Sequence, residues 1–106
     1  MPTLATWSGR SEFQCTGSVH QGTKISYGNS FRFSKTITAA QYADLLHHFQ
    51  GRTVDIGTSR TDPPQGSVGK WLQANVTKTA MASYVGPILL SERYAVKVGR
   101  SQIKFI

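Results

Sequence analysis

Alternating apolar and polar side chains mark the first third of the chain. Phe13 and Cys15 enclose a polar residue, and Phe31 and Phe33 do the same. A period of two is typical of strands that bury one face. The Gly28-Asn29 pair is a turn signal, because both residues tolerate a positive φ. The pattern predicts antiparallel strands at residues 11–19, 23–27 and 30–36.

A helical period follows these strands. Thr38 suits the N-cap position, and Gln41 three residues later completes a capping box. The apolar stripe of the helix consists of Tyr42, Leu45, Leu46 and Phe49. Gly51 suits the left-handed residue just past a helix end. The sequence therefore predicts a capped helix over residues 38–50, which packs against the strands.

The remaining half predicts a short strand, two short helices and a terminal hairpin. The strand covers residues 52–57, and a proline-containing loop follows. Ser67 caps a helix from Val68 to about Val76. A second helix covers residues 79–91, with a kink or break expected at Pro87. The segments AVKV and IKFI form a hairpin whose apolar residues alternate with outward lysines.

These elements predict an α+β fold that forms a single domain over residues 1–106. Two short helices and a basic hairpin, over Ser67 to Ile106, resemble a winged helix–turn–helix. In that resemblance the helix 38–50 is the supporting first helix. The resemblance implies that residues 79–91 lie in the major groove of DNA and that the hairpin contacts backbone or minor groove.

Charge adds a difference between the two parts of the chain. The net charge is +7, and residues 67–106 contribute +5 of it, from six basic residues and Glu92. A basic region of this kind favours a polyanionic partner, most simply nucleic acid. The alternative interpretation is a solvated sheet face whose lysines protect an edge strand from aggregation.

The predicted partner is therefore nucleic acid, in the first place duplex DNA. The expected contacts are Lys70, Lys78, Thr79, Ser83, Arg93, Lys97, Arg100 and Lys104. Arg60 and Ser67, next to the start of a helix, form a predicted anion site. Four aromatic residues alternate in sequence with basic ones, a pattern that either provides a stacking platform for single strands or supplies the core. They are Trp7, Tyr27, Phe31 and Phe33, and the basic residues are Lys24, Arg32 and Lys35.

Other chemistry receives little support. Cys15 is the only cysteine, which excludes an intramolecular disulfide and multi-cysteine zinc sites. His47 and His48 point about 100° apart on a helix, so we expect no metal. The five acids show no catalytic spacing, so we expect no enzyme and no cofactor. The opening MPTLATWSGR does not have the pattern of a Sec signal, and no apolar run is long enough for a membrane span, so we expect a cytoplasmic location.

A second hypothesis comes from the apolar end of the chain. The segment QIKFI reads as an edge strand with few protecting charges. Such an edge can add a strand to a partner or to a second copy. The alternative function is therefore a non-enzymatic protein-interaction module, for example a homodimer.

Overall fold

The computed structural model describes residues 3–106, so that the first two residues of the opening segment lie outside the described residues. Within this range, three α-helices and seven strands form a mixed α+β fold, as predicted. The strands belong to two antiparallel sheets, one from the first part of the chain and one from the second.

The first sheet is a four-stranded meander. Its strands, in spatial order, are β1 (Thr3–Ala5), β2 (Glu12–Ser18), β3 (Gly22–Tyr27) and β4 (Phe33–Thr38). The predicted strands 11–19 and 23–27 are confirmed, whereas β1 was not predicted. The third predicted strand, 30–36, begins late because Asn29–Phe31 forms a 3-10 turn. Ser30 and Phe31 adopt left-handed backbone conformations there, with φ of 57° and 53°.

Helix α1 (Ala39–Phe49) follows β4 directly, and the predicted helix is confirmed. Thr38 is its N-cap, and both bonds of the capping box with Gln41 are present. Tyr42, Leu45 and Phe49 form its buried face. The Tyr42 hydroxyl lies 2.6 Å from the Thr23 hydroxyl, a buried hydrogen bond that attaches the helix to the first sheet.

The second sheet has three strands, β5 (Thr53–Asp55), β6 (Ala95–Val98) and β7 (Gln102–Phe105), in the order β5-β7-β6. Between β5 and β6 lie α2 (Val68–Asn75) and α3 (Ala82–Ser91). The predicted hairpin and the helix capped by Ser67 are confirmed. The QIKFI segment, however, was wrongly placed at an edge. It forms the central strand, and β5 and β6 are the edges.

The phase of β6 also differs from the prediction. Lys97 pairs with Ile103, whereas Val96 pairs with Lys104. Residues directly opposite each other point to the same side of a sheet. Since Ile103 is buried, Lys97 lies on the side of the sheet that faces the core, although its side chain remains exposed, and Val96 on the other side is 45% exposed. The alternation was correctly recognised, but only the cross-strand register shows which set faces inward.

Helix α3 begins three residues later than predicted and runs through Pro87 without a break. A proline has no N–H, so the carbonyl four residues before it lacks its usual helical donor. That carbonyl belongs to Ser83, and it accepts a hydrogen bond from the Trp7 backbone N–H at 2.9 Å. The segment after β1 thus replaces the bond that the proline removes.

The two sheets and the helices enclose one hydrophobic cluster, which includes Phe13 and Ile25 from the first sheet and Ile103 and Phe105 from the second. No helix in residues 3–106 is long and apolar enough to cross a membrane.

Candidate nucleic-acid interface

The basic residues of the hairpin do not share one surface. Lys97 and Lys104 lie on opposite faces of the second sheet, because only Lys97 is on the same side as Ile103. The Lys97 ammonium lies 3.1 Å from the Trp7 carbonyl oxygen and 4.8 Å from the centroid of its ring. The Arg100 carbonyl accepts a 2.7 Å hydrogen bond from the Trp7 indole. We call Trp7, Ser83, Lys97 and Arg100 the Trp7 clasp.

Four further predicted residues lie in other parts of the structure. Ser67 is fully buried, and its hydroxyl accepts the Lys70 backbone N–H at 3.1 Å, as an N-cap does. Ser67 and Lys70 line a cavity between α1 and α2. Arg93 is exposed at the end of α3 with a left-handed φ of 66°. The backbone of Ser83 belongs to the Trp7 clasp.

The other three predicted residues come together elsewhere. Lys78 and Thr79 precede α3 instead of lying on it, and Arg60 reaches the same place from the loop after β5. With three aromatic residues they line a cavity of about 430 Å³. We call this the aromatic cleft, defined by Tyr27, Phe33, Arg60, Lys78, Thr79 and Tyr84. Its volume falls in the range of about 300–1,000 Å³ that is usual for ligand sites.

Aromatic rings form one wall of the cleft. The centroids of Tyr27 and Tyr84 lie 5.0 Å apart, and those of Tyr27 and Phe33 lie 5.8 Å apart. The rings of Tyr84 and buried Phe13 also pack in a T-shaped arrangement, with centroids 5.2 Å apart, which connects the wall to the core. Phe33 is 53% exposed, so it presents ring surface to the solvent. Exposed aromatic rings next to cations are typical of surfaces that stack nucleic-acid bases.

The turn between β3 and β4 positions Phe33. A Cβ at Gly28 would lie 2.6 Å from the Phe33 ring. Any side chain at position 28 would therefore displace the ring, and only glycine lets it lie against the backbone. Ser30 and Phe31 complete the turn in left-handed conformations, which cost non-glycine residues about 1–2 kcal/mol each. The chain thus retains a strained turn at the point where it places its most exposed ring. Strain of this kind clusters at functional sites.

Cations surround the aromatic wall. Arg60 and Lys78 line the cleft, and the Arg32 guanidinium lies 5.6 Å from the Phe33 centroid. Lys35 follows Phe33 by two positions in β4, so both side chains point to the same face of the sheet. Of the described residues that line the cleft, none is acidic. The lining of the cleft therefore carries a net positive charge, which favours an anionic ligand.

Tyr84 reports on the same environment. Burial raises the pKa of Tyr84, and Tyr27 adds to the rise, whereas Arg60 lowers it. This direction agrees with the geometry, since Arg60 and Tyr84 line the same cavity.

The remaining reactive groups have other surroundings. Burial, together with the charge of Glu92, raises the pKa of the Cys15 thiol, so that it stays protonated near neutral pH. Both carboxylate oxygens of Glu92 accept the backbone N–H of Val19, at 3.1 and 3.2 Å. Across residues 3–106, no three His, Cys, Asp or Glu side chains form a group that could hold a metal ion.

Comparison of the chain with protein-family models, curated proteins and solved structures gives no match. The functional interpretation of the aromatic cleft therefore depends on the geometry of the cleft alone.

Sequence reasoning identified most of the cleft but did not assemble it. Arg60, Lys78 and Thr79 were candidate contacts. Tyr27 and Phe33 were two of the four candidates for a stacking platform, and the other two, Trp7 and Phe31, do not line the cleft. Tyr84, within the predicted helix 79–91, was not among the candidate residues. No local signal joins residues of β3, β4, the loop after β5 and α3, because their proximity depends on how the two sheets pack.

Proposed function

We propose that this protein binds nucleic acid and that the aromatic cleft is its contact surface. The observation that carries the proposal is the meeting of Arg60 and Lys78 with three aromatic rings in a cavity without acidic lining. The net charge of +7 supports the same class of partner.

The two kinds of side chain have different tasks. Arg and Lys contact phosphates and release condensed counterions, which supplies affinity without sequence information. The rings provide flat apolar surface for bases or sugars. The winged-helix arrangement, with a recognition helix and a basic wing on one duplex, gains less support. Lys78 and Thr79 lie before α3, and the hairpin cations point to different sides.

The test compares two double variants that remove the same charge. Arg60→Ala with Lys78→Ala removes both cations of the cleft. Arg100→Ala with Lys104→Ala removes two cations of the hairpin, whose side chains make no contact in the Trp7 clasp. Binding of labelled single-stranded and duplex oligonucleotides is measured by fluorescence anisotropy over a series of salt concentrations.

We expect the cleft variant to lose about tenfold or more in affinity at low salt. The slope of log K against log salt should fall by about 1 to 2, as expected for the loss of two phosphate contacts. The hairpin variant should retain most of the affinity and the slope. Equal losses in both variants, or no binding by the native protein at low salt, would contradict the proposal.

A second candidate function is self-association through β6. This strand is an edge of the second sheet, and its Val96 and Val98 are 45% and 38% exposed on the outer face. Antiparallel pairing with β6 of a second copy would join two three-stranded sheets and bring the four valines together. Such pairing is symmetric, so one patch is sufficient.

Sedimentation velocity over a range of protein concentrations tests this second function. A dimer that Val98→Lys converts to a monomer would support it, because the charge would lie in the new interface. The matched substitution Gln102→Lys places a charge on the same face of the central strand and should leave the dimer intact. A native protein that stays monomeric throughout would count against it.

A further inference from the structure

We infer that the aromatic cleft binds unpaired bases, so that its ligand is a single strand and not a duplex. This inference rests on the proposed function, since it specifies the form of nucleic acid that the same site takes. It differs from the duplex partner that the sequence predicted, and the reason is the position of the exposed ring.

The first step of the argument is accessibility. A base within a duplex is stacked on both faces and hydrogen-bonded at its edge, so an aromatic side chain reaches it only after the base is unstacked. Phe33 is 53% exposed but belongs to the wall of a cavity, beside Tyr27 and Gly28. A duplex would meet the rim of this cavity, whereas an unpaired base can enter it.

The second step concerns size and stiffness. A cavity of about 430 Å³ is suited to a base with part of its backbone, and not to a helix or a groove of DNA. Tyr84 contacts buried Phe13, and Gly28 holds Phe33 against the backbone, so the wall exists before the ligand arrives. A preformed wall lowers the entropy that binding costs.

The third step is the placement of charge. Arg60 and Lys78 line the cleft, and both belong to loops. Lys35 belongs to the edge strand β4, and Arg32 directly precedes that strand. Cations therefore occur in the lining of the cleft and, through Arg32, next to the Phe33 ring. A single strand with its base on the wall can place neighbouring phosphates next to these cations. This is the arrangement of a groove that combines stacking platforms with backbone contacts.

The experiment separates stacking from charge with two probes. The first is a labelled oligothymidylate of about twelve nucleotides, within the usual range of site sizes. The second has the same length and phosphates but carries abasic sites in place of the bases. Both are titrated against the native protein, Phe33→Ala and Phe33→Trp, and a duplex of equal length is included.

We expect the native protein to bind oligothymidylate about tenfold more tightly than the abasic probe, the usual scale of one stacking contact. Phe33→Ala should remove this difference without changing abasic binding or the salt slope, and Phe33→Trp should preserve it. Thermal unfolding of each variant, followed by circular dichroism, checks that the variant folds as the native protein does.

Two other results would overturn the inference in different ways. Equal binding of both probes, or tighter binding of the duplex, would remove the role of unpaired bases and leave nucleic-acid binding intact. Absence of binding by all three probes at low salt would remove the proposed function as well.

Discussion

The hairpin β6–β7 and the aromatic cleft differ in how their charges become a surface. In the hairpin, Lys97 and Lys104 lie close in sequence, but the register between β6 and β7 places them on opposite faces of the sheet. In the cleft, Arg60 and Lys78 come from separate loops and meet beside rings from β3, β4 and α3. A run of basic residues is therefore a poor guide to a basic surface, whereas tertiary packing can build one from isolated cations.

The cations of the hairpin and of the cleft also differ in their contacts. Lys97 contacts both the carbonyl and the ring of Trp7, so it serves the fold. Arg60 and Lys78 line open space. Substitutions should therefore affect stability at the hairpin and binding at the cleft, and the following predictions test this separation.

The largest effect should come from the Trp7 clasp. Trp7→Ala removes a buried ring and should lower the free energy of unfolding by about 3–5 kcal/mol, as other large truncations in cores do. Urea denaturation measures the change. Trp7→Phe keeps most of the packing but loses the indole bond to the Arg100 carbonyl, so its cost should be about 1 kcal/mol. Equal costs for the two variants would show that the ring itself contributes little.

The next effect distinguishes the two faces of the hairpin. Lys97→Ala loses a charged hydrogen bond and a cation–π contact and should cost about 1 kcal/mol. Lys104→Ala, on the outer face, should change stability by less than about 0.5 kcal/mol. The same denaturation curves decide this. A larger loss from Lys104→Ala would contradict the assigned faces.

A change at the cleft should raise stability. Ser30→Gly relieves a left-handed conformation and should add about 1 kcal/mol to the free energy of unfolding. Thermal unfolding measures the gain, and Ser26→Gly, in the adjacent β3, is the matched control that should lose stability. A destabilised Ser30→Gly protein would show that the serine side chain, and not the backbone, holds the turn.

The smallest effect concerns the phase of β6. Val96→Thr should change the free energy of unfolding by less than about 0.5 kcal/mol, because Val96 is 45% exposed. Ile103→Thr, on the buried side of the neighbouring strand, should cost about 2 kcal/mol or more. Measurement at low protein concentration keeps self-association out of the comparison. Similar costs at both positions would restore the phase that the sequence predicted.

The elements that sequence patterns predicted well depend on local physics. The capping box of Thr38 and Gln41, the cap at Ser67 and the terminal hairpin are set by neighbouring residues, and all are present. The fold class followed from these elements. The strand β1 was missed because three residues with one neighbouring strand leave almost no periodic signal.

The errors have a different origin, which is long-range pairing. The phase of β6 depends on the register with β7, and the central place of β7 depends on β5, about fifty positions earlier. Pro87 was expected to disturb α3, but the carbonyl that it frees is satisfied by Trp7. For the same reason the aromatic cleft was visible only as separate residues. Helix caps depend on residues that are neighbours in the sequence, whereas surfaces such as the cleft depend on contacts between distant segments.

The bond from the Trp7 indole to the Arg100 carbonyl joins positions 93 apart in the chain. Contacts between such distant positions cost much loop-closure entropy. They form after local structure has already brought the two segments closer together. During synthesis, the first sheet and α1 can fold while the ribosome is still extending the polypeptide. The Trp7–Arg100 hydrogen bond can form only after residue 100 has been synthesised. The contact between the two ends of the chain therefore forms late. A nascent chain stalled before residue 100 would expose the Trp7 indole, which is buried in the folded protein.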